Sequence, residues 1–511
     1  MARSTSLWIH TDTPSSHPPL AGNVRADVCV IGAGIAGLTT AYLLARDGRS
    51  VVLLDDGTPG CGQTGVTTAH LSCVIDDTYE EMIRLHGLHG ARLAHESHRA
   101  AIDRIEAICG FEEIDCDFQR VSGYLFLSPE HTDQDLGREL EAARQANVDV
   151  ERLSRGPERG LAAGRSWLHF PRQAQFHPLH YLRGLTRAFQ RAGGRLYAGT
   201  RAATVEGGDA ARVTTTSGHR VEAGAIVVAT NVPFIDRVAI HTKQAPYHTY
   251  VIGARVPADA IEPALYWDTH DPYHYVRLQR VLARDLGGDT DGPVDILIVG
   301  GEDHKAAQAS DADARFDRLE SWMREHAPAA RDVEFRWSGQ VMESQDGLGF
   351  IGRNPLDDAN VYVATGDSGM GMTHGTIAGI LLTDLIAGRA NPWAALYDPS
   401  RIRAGAAADF VKENLNVAAQ YASWVTPGEV ESVDDIAPNT GAVIREGLMK
   451  VAVFRDEAGE LHRRSAVCPH LGCIVGWNAA ASTWDCPCHG SRFDKFGTVT
   501  NGPANVDLKP A

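Results

Sequence analysis

The chain has 511 residues, of which 43% are hydrophobic and 22% charged, with a formal net charge of -17. This length predicts more than one domain, and the composition is that of a soluble globular protein, which excludes a disordered or fibrous chain. The negative charge argues against a nucleic-acid partner, because proteins that bind the phosphate backbone present clustered positive charge.

The sequence shows no sign of export or of membrane insertion. The first 25 residues lack a basic segment followed by an apolar one. The longest apolar stretch, near Thr376 to Gly388, is interrupted by Thr383 and Asp384. We therefore expect a cytoplasmic protein without a transmembrane segment.

The first predicted unit is a strand, a turn and a helix. The apolar run Val28 to Ile31 leads into a G-x-G-x-x-G motif, and Leu38 to Arg46 has a helical pattern. The small residues of the motif let the backbone and the helix N-terminus approach a pyrophosphate. After the next predicted strand, Asp55 stands where a carboxylate would bind ribose hydroxyls, and Asp56 is the alternative.

The motif alone does not distinguish FAD from NAD, whereas a later segment does. Val361 to Gly375 has a strand and a glycine-rich turn, and a helical pattern follows. With Trp337 to Gly339 and Asp346 to Arg353, this segment resembles the D-amino-acid oxidase and glycine oxidase family, over roughly residues 7 to 400. The resemblance implies FAD as the cofactor, with backbone N–H groups of the turn near the isoalloxazine ring.

The resemblance also assigns Gly62 to His70 to the loop that runs from the ribityl chain toward the flavin ring. Some relatives bind the flavin covalently near this position, but His70 is one residue out of register, so we expect non-covalent FAD. The predicted cofactor-binding residues are Gly32, Gly34, Ile35, Ala36, Gly37, Asp55, Asp56, Gln63, Thr64, Gly65, Thr67, Thr68, Ala69, His70, Thr230, Gly366, Asp367, Gly371, Met372 and Thr373.

An amine or amino acid is the substrate that the resemblance implies, because enzymes of this family pass hydride from a C–N bond to the flavin. An arginine often binds the substrate carboxylate in the family, and Arg336 and Arg353 are both candidates. The catalytic candidates are Tyr250, Tyr273, His274, Arg353 and His374. Further candidates for the pocket wall are Tyr247, His248 and Tyr275.

A stretch rich in proline, glycine and acidic residues, Trp424 to Thr440, predicts a linker. We therefore expect an FAD-dependent oxidoreductase at residues 1–425, a linker at 426–440 and a small domain at 441–511. The first part is predicted to be an α/β Rossmann-like domain with an inserted antiparallel-sheet substrate domain. The short strands and turns of the last part predict a small all-β domain.

The small domain contains a cluster of cysteine and histidine residues. Cys468 and His470 form a C-x-H pair, and Cys486 and His489 form a C-x-x-H pair. A Rieske-type 2Fe-2S cluster needs two thiolates on one iron and two imidazoles on the other, which these two loops supply. A zinc ribbon is the alternative, but its like ligands usually have two to four residues between them.

This segment closely resembles the Rieske family, and its cytochrome bc-type subgroup in particular. The resemblance implies a disulfide between Cys473 and Cys488. It also implies a hydrogen bond from Ser491 to a cluster sulfur, which raises the reduction potential. Phe493 stands where the subgroup commonly has a tyrosine, so one hydrogen bond is lost and the potential should lie below the top of the Rieske range.

The whole chain resembles bacterial DAO-type FAD oxidoreductases with a C-terminal Rieske domain. The leading hypothesis is a dehydrogenase in which electrons pass from FAD to the cluster, and on to a one-electron acceptor protein or a quinone-linked carrier. An oxidase that returns electrons to O2 at the flavin would have no use for such a relay. The alternatives are an oxidase with a structural or regulatory Rieske domain, and an NAD(P)H-fed reductase for an oxygenase, although the sequence contains no second dinucleotide motif.

Overall fold

The computed structural model describes residues 5–162, 166–235, 240–288, 292–355, 359–403 and 407–511. Among these residues, every helix is too short or too polar to cross a bilayer. The helices are α1 (Leu7–Thr11), α2 (Ile35–Arg46), α3 (Tyr79–Glu112), α4 (Asp133–Gln145), α5 (Pro178–Arg191), α6 (Ala312–His326), α7 (Gly371–Ile386), α8 (Ala394–Tyr397) and α9 (Ala407–Gln420).

The described strands form four sheets. They are β1 (Val24–Ile31), β2 (Val51–Leu54), β3 (His70–Leu71), β4 (Gln119–Phe126), β5 (Glu151–Leu153), β6 (Trp167–Gln175), β7 (Arg195–Tyr197), β8 (Ala202–Glu206), β9 (Arg212–Thr215), β10 (Arg220–Val228), β11 (Gln244–Val256), β12 (Ala264–Asp268), β13 (Tyr275–Leu282), β14 (Pro293–Lys305), β15 (Val333–Ser344), β16 (Phe350–Arg353), β17 (Val361–Thr365), β18 (Thr440–Glu446), β19 (Met449–Arg455), β20 (Leu461–Ser465), β21 (Gly476–Asn478), β22 (Thr483–Asp485), β23 (Arg492–Asp494) and β24 (Val499–Asn501).

The eight-stranded sheet has the predicted Rossmann-like core, with parallel strands in the order β17-β10-β1-β2-β7. Its central strands are apolar on both faces. Val28 and Val30 of β1 pack in the same core as helices α2 and α7, whereas Cys29 and Ile31 pack on the opposite face against the β8–β9 hairpin. A strand covered on both faces has a continuous apolar run, which is why β1 was recognisable from its sequence.

The nine-stranded sheet is the predicted inserted domain. Its strand order is β15-β11-β14-β13-β12-β4-β6-β3, with β5 paired to β6. All pairs are antiparallel except β12 with β4. Two insertions supply it, because β3 to β6 follow β2 and β11 to β15 follow β10. Helix α6 packs on β11 and β14 and covers one face.

The C-terminal region is all-β, as predicted. It contains a three-stranded sheet, β18-β19-β20, and a four-stranded sheet, β21-β22-β23-β24. The core of this region contains Phe454, Trp484 and Phe493. In the segment predicted as a linker, the backbone N–H of Glu429 donates to the carbonyl of Val443 in β18.

Candidate flavin and iron-sulfur sites

A cavity of about 1370 Å³ lies where the parallel strands of the first sheet meet the nine-stranded sheet. The carboxyl ends of three parallel strands reach it through Ile31, Ala229 and Thr365. Ligands of open α/β sheets bind at this edge, in the crevice outside the strand ends. The nine-stranded sheet supplies the facing wall, which includes Thr249 and Gly339.

The glycine-rich turn after β1 leaves backbone open to this cavity. Gly32 has a φ of +101°, and a Cβ there would lie 2.4 Å from the carbonyl oxygen of Ala229. A Cβ on Gly37 would lie 1.8 Å from the carbonyl oxygen of Gly32. Both positions therefore require glycine, and the turn leads directly into the N-terminus of α2, which can bind a pyrophosphate.

Asp55 lies at the end of β2, next to the glycine-rich turn. Its carboxylate accepts hydrogen bonds from the backbone N–H of Ala33 at 2.6 Å and of Gly57 at 2.8 Å. Burial raises the pKa of Asp55 to about 6. Asp56 also lines the cavity but forms an ion pair with Arg201 at 3.3 Å. Asp55 is thus the carboxylate better placed for a ribose.

Most of the predicted cofactor-binding residues lie along this cavity. They are Gly32, Gly34, Ile35, Ala36, Asp55, Asp56, Gln63, Thr64, Thr67, Thr68, His70, Thr230, Gly366, Asp367, Gly371 and Met372. Gly37, Gly65, Ala69 and Thr373 lie outside the described cavity wall. Thr373 is on a different face of α7, where its hydroxyl lies 2.8 Å from Nδ1 of His98.

His70 is a packed residue of the cavity wall. Its Nδ1 lies 3.0 Å from the Thr68 hydroxyl, its Nε2 lies 3.4 Å from the carbonyl oxygen of Val276, and its ring meets Tyr275 edge-on. Burial, assisted by the charge of Arg277, lowers the pKa of His70 to about 3. The imidazole is therefore neutral near pH 7.

The predicted catalytic residue Tyr250 does not line the cavity. Tyr247, Thr249 and Val251 of β11 do, whereas Tyr250 points to the other face of the sheet and stacks on His304, with ring centroids 5.6 Å apart. Successive side chains of a strand point to opposite faces, so neighbours in sequence are separated in space.

The same alternation separates the residues around the start of β13. Tyr273 and Tyr275 line the cavity, and His274 between them does not. His274 instead lies 2.8 Å from a carboxylate oxygen of Asp268 and stacks on Trp322. The structure thus places the two tyrosines, but not His274, at the predicted site.

Both predicted arginines also lie outside the described cavity wall. Arg336 pairs with Glu320 at 2.9 Å, and Arg353 is exposed at the end of β16. His374 does line the cavity, and its Nδ1 lies 2.8 Å from the carbonyl oxygen of Asp367. Burial lowers the pKa of His374 to about 4, so this imidazole is neutral as well.

The four predicted cluster ligands converge on one place. Cys468 and His470 lie on the loop between β20 and β21, and Cys486 and His489 on the loop between β22 and β23. The rings of His470 and His489 have centroids 5.0 Å apart, and the thiols of Cys468 and Cys486 lie close enough to shift each other's pKa. Two thiols and two imidazoles from two loops are the donor set that a Rieske cluster requires.

Further details fit a bound cluster. The Nδ1 atom of His489 is buried and has no hydrogen-bond partner among the described residues, as expected of a ligand atom. A disulfide between Cys473 and Cys488 joins the two loops. Hydrogen bonding lowers the pKa of Cys468, with Cys486 as the largest cause, followed by the backbone of His470 and then the Ser491 hydroxyl, so Ser491 lies near this sulfur.

The cluster loops face the flavin domain. His241 is buried just before β11, and its ring centroid lies 5.1 Å from that of His470 and 5.9 Å from that of His489. On β15, the Gln340 side chain donates to the carbonyl oxygen of Gly490 at 2.9 Å. Its backbone N–H donates to the Gln63 side chain of the flavin loop at 2.7 Å. Gln340 therefore contacts both cofactor loops.

The C-terminal domain also forms part of the FAD cavity wall. Its segment 498–505 lines the cavity, apart from Pro503. The Asn505 side chain donates to the carbonyl oxygen of Ala203 at 2.8 Å, and Arg201, which pairs with Asp56, donates to that of Val499 at 2.7 Å. The flavin and cluster regions therefore share a wall.

A buried polar network joins the two domains. His248 Nε2 lies 2.8 Å from Asp485 Oδ2, and both side chains are at most 1% exposed. Asp485 also accepts hydrogen bonds from Arg492 and Asn478. His248, predicted as a wall residue of the substrate pocket, therefore lies at the domain interface.

The segment before the C-terminal domain is fixed at both ends. In α9, Glu413 forms an ion pair with Lys305 of β14 at 2.7 Å. Farther on, the Tyr421 hydroxyl donates to the carbonyl oxygen of Leu471, and the Trp424 indole donates to that of Gly472. Both acceptors belong to the first cluster loop.

His241, Gln340 and Asp485 were missed by sequence analysis. None belongs to a local motif, because their importance comes from the contact between two domains. The available signal was weak: each is a polar residue in or beside a strand that packs in a largely apolar environment.

Comparisons with known proteins agree with this architecture. A family model described as FAD dependent oxidoreductase (DAO) matches residues 27–385, and a Rieske [2Fe-2S] domain model matches residues 424–510. YhfW of Bacillus subtilis (strain 168), whose name describes it as a Rieske 2Fe-2S iron-sulfur protein, is 32% identical over 505 residues, which cover 98% of this chain and 96% of YhfW.

Two further comparisons each concern one part of the chain. The cytochrome b6-f complex iron-sulfur subunit of Prochlorococcus marinus (strain NATL1A) is 31% identical over 140 residues, covering 27% of this chain and 71% of the subunit. The fold of glycine oxidase from Geobacillus kaustophilus matches with a TM-score of 0.61 at 19% identity, covering 74% of this chain and 100% of the oxidase. The chain therefore belongs to the DAO family of FAD-dependent oxidoreductases, binds FAD, and carries a C-terminal Rieske domain that binds a 2Fe-2S cluster.

Proposed function

We propose that this protein is a dehydrogenase that oxidises a C–N bond of an amine or amino acid and delivers the electrons, by way of FAD and the Rieske cluster, to an external one-electron acceptor. The observation that carries the proposal is the position of the cluster ligands. His470 and His489 lie against His241 of the flavin domain, and Gln340 of the FAD cavity wall donates a hydrogen bond to Gly490 beside His489. When bound, FAD accepts a hydride from the carbon beside the amine nitrogen, and the cluster accepts single electrons.

The chain holds the two cofactor regions at a fixed separation. Gln340 donates one hydrogen bond to the flavin loop at Gln63 and another to the cluster loop at Gly490. Asn501 of the C-terminal domain also donates to the Gln340 side chain. Because Gln340 is only 4% exposed, these hydrogen bonds are shielded from water and hold both loops firmly.

The imidazoles and phenols of the cavity wall that could face an amine are uncharged near pH 7. His70 and His374 are neutral imidazoles whose ring nitrogens are hydrogen-bonded. The hydroxyls of Tyr273 and Tyr275 remain protonated near pH 7, because burial raises the pKa of each well above its ordinary value. These residues can orient an amine by hydrogen bonding. Positioning the substrate against the flavin is the main role of the protein in hydride transfer.

The variant Cys486→Ser tests the proposal, because it removes one cluster ligand in a domain separate from Gly32 and Asp55. We expect this variant to lose its iron and the EPR signal of the reduced cluster while retaining FAD. Under anaerobic conditions glycine, L-proline or 1,4-diaminobutane should still bleach its flavin absorbance if they bleach that of the wild type. Electron delivery to cytochrome c should fall at least about tenfold, since the relay is broken.

Cys109→Ser is the matched control, because Cys109 is a buried cysteine of α3 outside both cofactor sites. It should retain both cofactors and full acceptor activity. If Cys486→Ser also retains full activity with cytochrome c, the cluster is not on the electron path. Steady peroxide formation without added acceptor would then favour an oxidase with a structural Rieske domain.

A further inference from the structure

The FAD cavity contains an unusual concentration of carboxylates on the side of the nine-stranded sheet. Two come from the loop after β3, one from β14, one from β15 and one from the turn after β17. They are Asp76, Asp77, Asp303, Glu343 and Asp367. Burial is the main cause of the raised pKa of Glu343, and each of the other four carboxylates raises this pKa further. The four groups therefore lie close enough to Glu343 to interact with it electrostatically. We call this part of the cavity the acidic chamber.

In the described cavity wall, the positive side chains are paired with carboxylates outside the acidic chamber. Among the described residues that line the cavity, only Arg138 and Arg201 carry a permanent positive charge. Arg138 pairs with Glu80 and Asp135, and Arg201 pairs with Asp56 at the ribose end. Outside the cavity wall, Arg315 acts on Asp303 electrostatically, but its own hydrogen bonds go to Asp311 and to the backbone of Glu302.

Two of the carboxylates have an unsatisfied oxygen. The Oδ1 atoms of Asp303 and Asp367 are buried and accept no hydrogen bond from the described residues. Each of these two oxygens can still accept a hydrogen bond, and a bound cation would supply both the donor and a compensating charge. Burial raises the pKa of Asp76 to about 7 and that of Asp303 to about 6, and hydrogen bonds from Tyr273 and Thr249 offset this only in part.

The remaining wall of the acidic chamber suits an ammonium group with an alkyl chain. Tyr247, Tyr273 and Tyr275 line it, and Tyr273 is hydrogen-bonded to the carboxylate of Asp76. The Tyr275 hydroxyl is hydrogen-bonded to Thr249. Aromatic faces attract ammonium groups and pack against methylene groups, so they complement the carboxylates.

We propose that the substrate bound in the acidic chamber is a diamine or polyamine, with one amine at the flavin and a second ammonium group held by Asp303 and Glu343. The proposal rests on the proposed C–N oxidation and specifies its substrate class. An amino acid would place a carboxylate among five acidic groups, while both arginines of the described cavity wall are paired elsewhere, which is electrostatically unfavourable. A second ammonium group at that position would instead gain charge-assisted hydrogen bonds.

Three compounds with a four-carbon chain separate these cases in the anaerobic holoenzyme. They are 1,4-diaminobutane with two ammonium groups, butylamine with one, and 4-aminobutanoate with a carboxylate in place of the second ammonium. Binding is followed by calorimetry and reduction by bleaching of the flavin absorbance. We expect the half-saturating concentration of 1,4-diaminobutane to be at least about tenfold below that of butylamine, with 4-aminobutanoate weakest.

The variants Asp303→Asn and Glu343→Gln should each raise the half-saturating concentration of 1,4-diaminobutane about tenfold or more, and that of butylamine far less. Glu334→Gln is the control, because Glu334 lies on the same strand as Glu343 but binds Arg255 outside the cavity. Glu334→Gln removes the same charge as Glu343→Gln and should leave the half-saturating concentrations of 1,4-diaminobutane and butylamine unchanged. The comparison of the three compounds in the wild type stands even if a variant fails to fold.

The outcomes distinguish this inference from the proposed function. If glycine or L-proline bleaches the flavin while 1,4-diaminobutane neither binds nor bleaches, the substrate class is overturned and the C–N oxidation stands. If 1,4-diaminobutane binds with the expected preference but no amine or amino acid bleaches the flavin, the chamber assignment stands and the oxidation fails. Equal half-saturation by butylamine and 1,4-diaminobutane overturns the chamber assignment.

Discussion

The two cofactor regions of this protein are built in opposite ways. The wall of the FAD cavity draws on segments from Ile31 to Asn505, and its glycine-rich turn contributes backbone groups and the absence of side chains. The predicted cluster ligands are four side chains between Cys468 and His489. FAD binding therefore depends on space around the backbone, whereas cluster binding depends on the identity of a few side chains. The two regions should fail independently, and for different reasons.

The largest effect is expected from a single added methyl group in the FAD region. In Gly32→Ala, the new Cβ would lie 2.4 Å from the carbonyl oxygen of Ala229, in a backbone conformation with a φ of +101°. Steric overlap and the strained conformation together should cost about 4 kcal/mol, which corresponds to nearly a thousandfold weaker FAD binding. FAD content and iron content of the purified variant measure the result, and iron should be retained.

Gly48→Ala is the control for that experiment. Gly48 also has a positive φ, +84°, but a Cβ there would meet no atom within 4 Å. This variant should lose about 1 kcal/mol of stability and no FAD. Equal FAD contents in the two variants would contradict the role assigned to the glycine-rich turn.

In the cluster region, the next largest effect concerns the disulfide between the two loops. Cys473 and Cys488 close a loop with a sequence separation of 15. Chain-entropy arguments assign such a loop about 3 kcal/mol. We expect Cys473→Ser to lose its cluster much faster than the wild type during mild denaturation, with FAD release unchanged. Iron release followed by absorbance tests this, and an unchanged rate would mean that the disulfide does not support the cluster loops.

At the contact between the two regions, His248→Ala should destabilise domain docking by about 2 kcal/mol. The change removes one buried partner of Asp485. Arg492 and Asn478 still donate hydrogen bonds to Asp485, so its buried charge remains partly compensated. Denaturant unfolding and limited proteolysis before the C-terminal domain measure the effect. Glu222→Gln, which affects an exposed pair with Arg25, should change stability by less than about 1 kcal/mol.

The smallest effect is expected from Ser491→Ala. The Ser491 hydroxyl lowers the pKa of Cys468 and so lies near its sulfur, and hydrogen bonds to a cluster sulfur favour the reduced cluster. We expect this hydrogen bond to stabilise the reduced cluster by about 1.4 kcal/mol relative to the oxidised cluster. Its loss would lower the reduction potential of this one-electron couple by about 60 mV. An EPR-monitored redox titration measures it, with FAD content as the internal control. An unchanged potential would remove Ser491 from the set of groups that tune the cluster.

The comparison also explains what the sequence could predict. The pairs Cys468/His470 and Cys486/His489 are local patterns whose chemistry needs no knowledge of the fold. The glycine-rich turn was equally visible, because the apolar β1 precedes it directly. By contrast, the position of Tyr250 depends on which face of β11 is turned inward. That face is set by pairing with β14 and β15, which follow much later in the chain.

His274 lies outside the described cavity wall for the same reason, since one residue along a strand reverses the face. The interface residues His241 and Gln340 could not be predicted at all, because their role depends on how two domains dock. The carboxylates of the acidic chamber were missed because Asp76, Asp303 and Glu343 come from three separate segments. Each of them alone is an ordinary acidic residue of a loop or strand end.

The anchoring of α9 and of the residues after it has a kinetic consequence. Glu413 is bound to the flavin domain, while Tyr421 and Trp424 are bound to the first cluster loop. These contacts hold the Rieske domain in place, so it does not swing between an electron donor and an acceptor. If electrons pass from FAD to the cluster as proposed, they cross a stationary contact, so the rate of that step should not change with solvent viscosity.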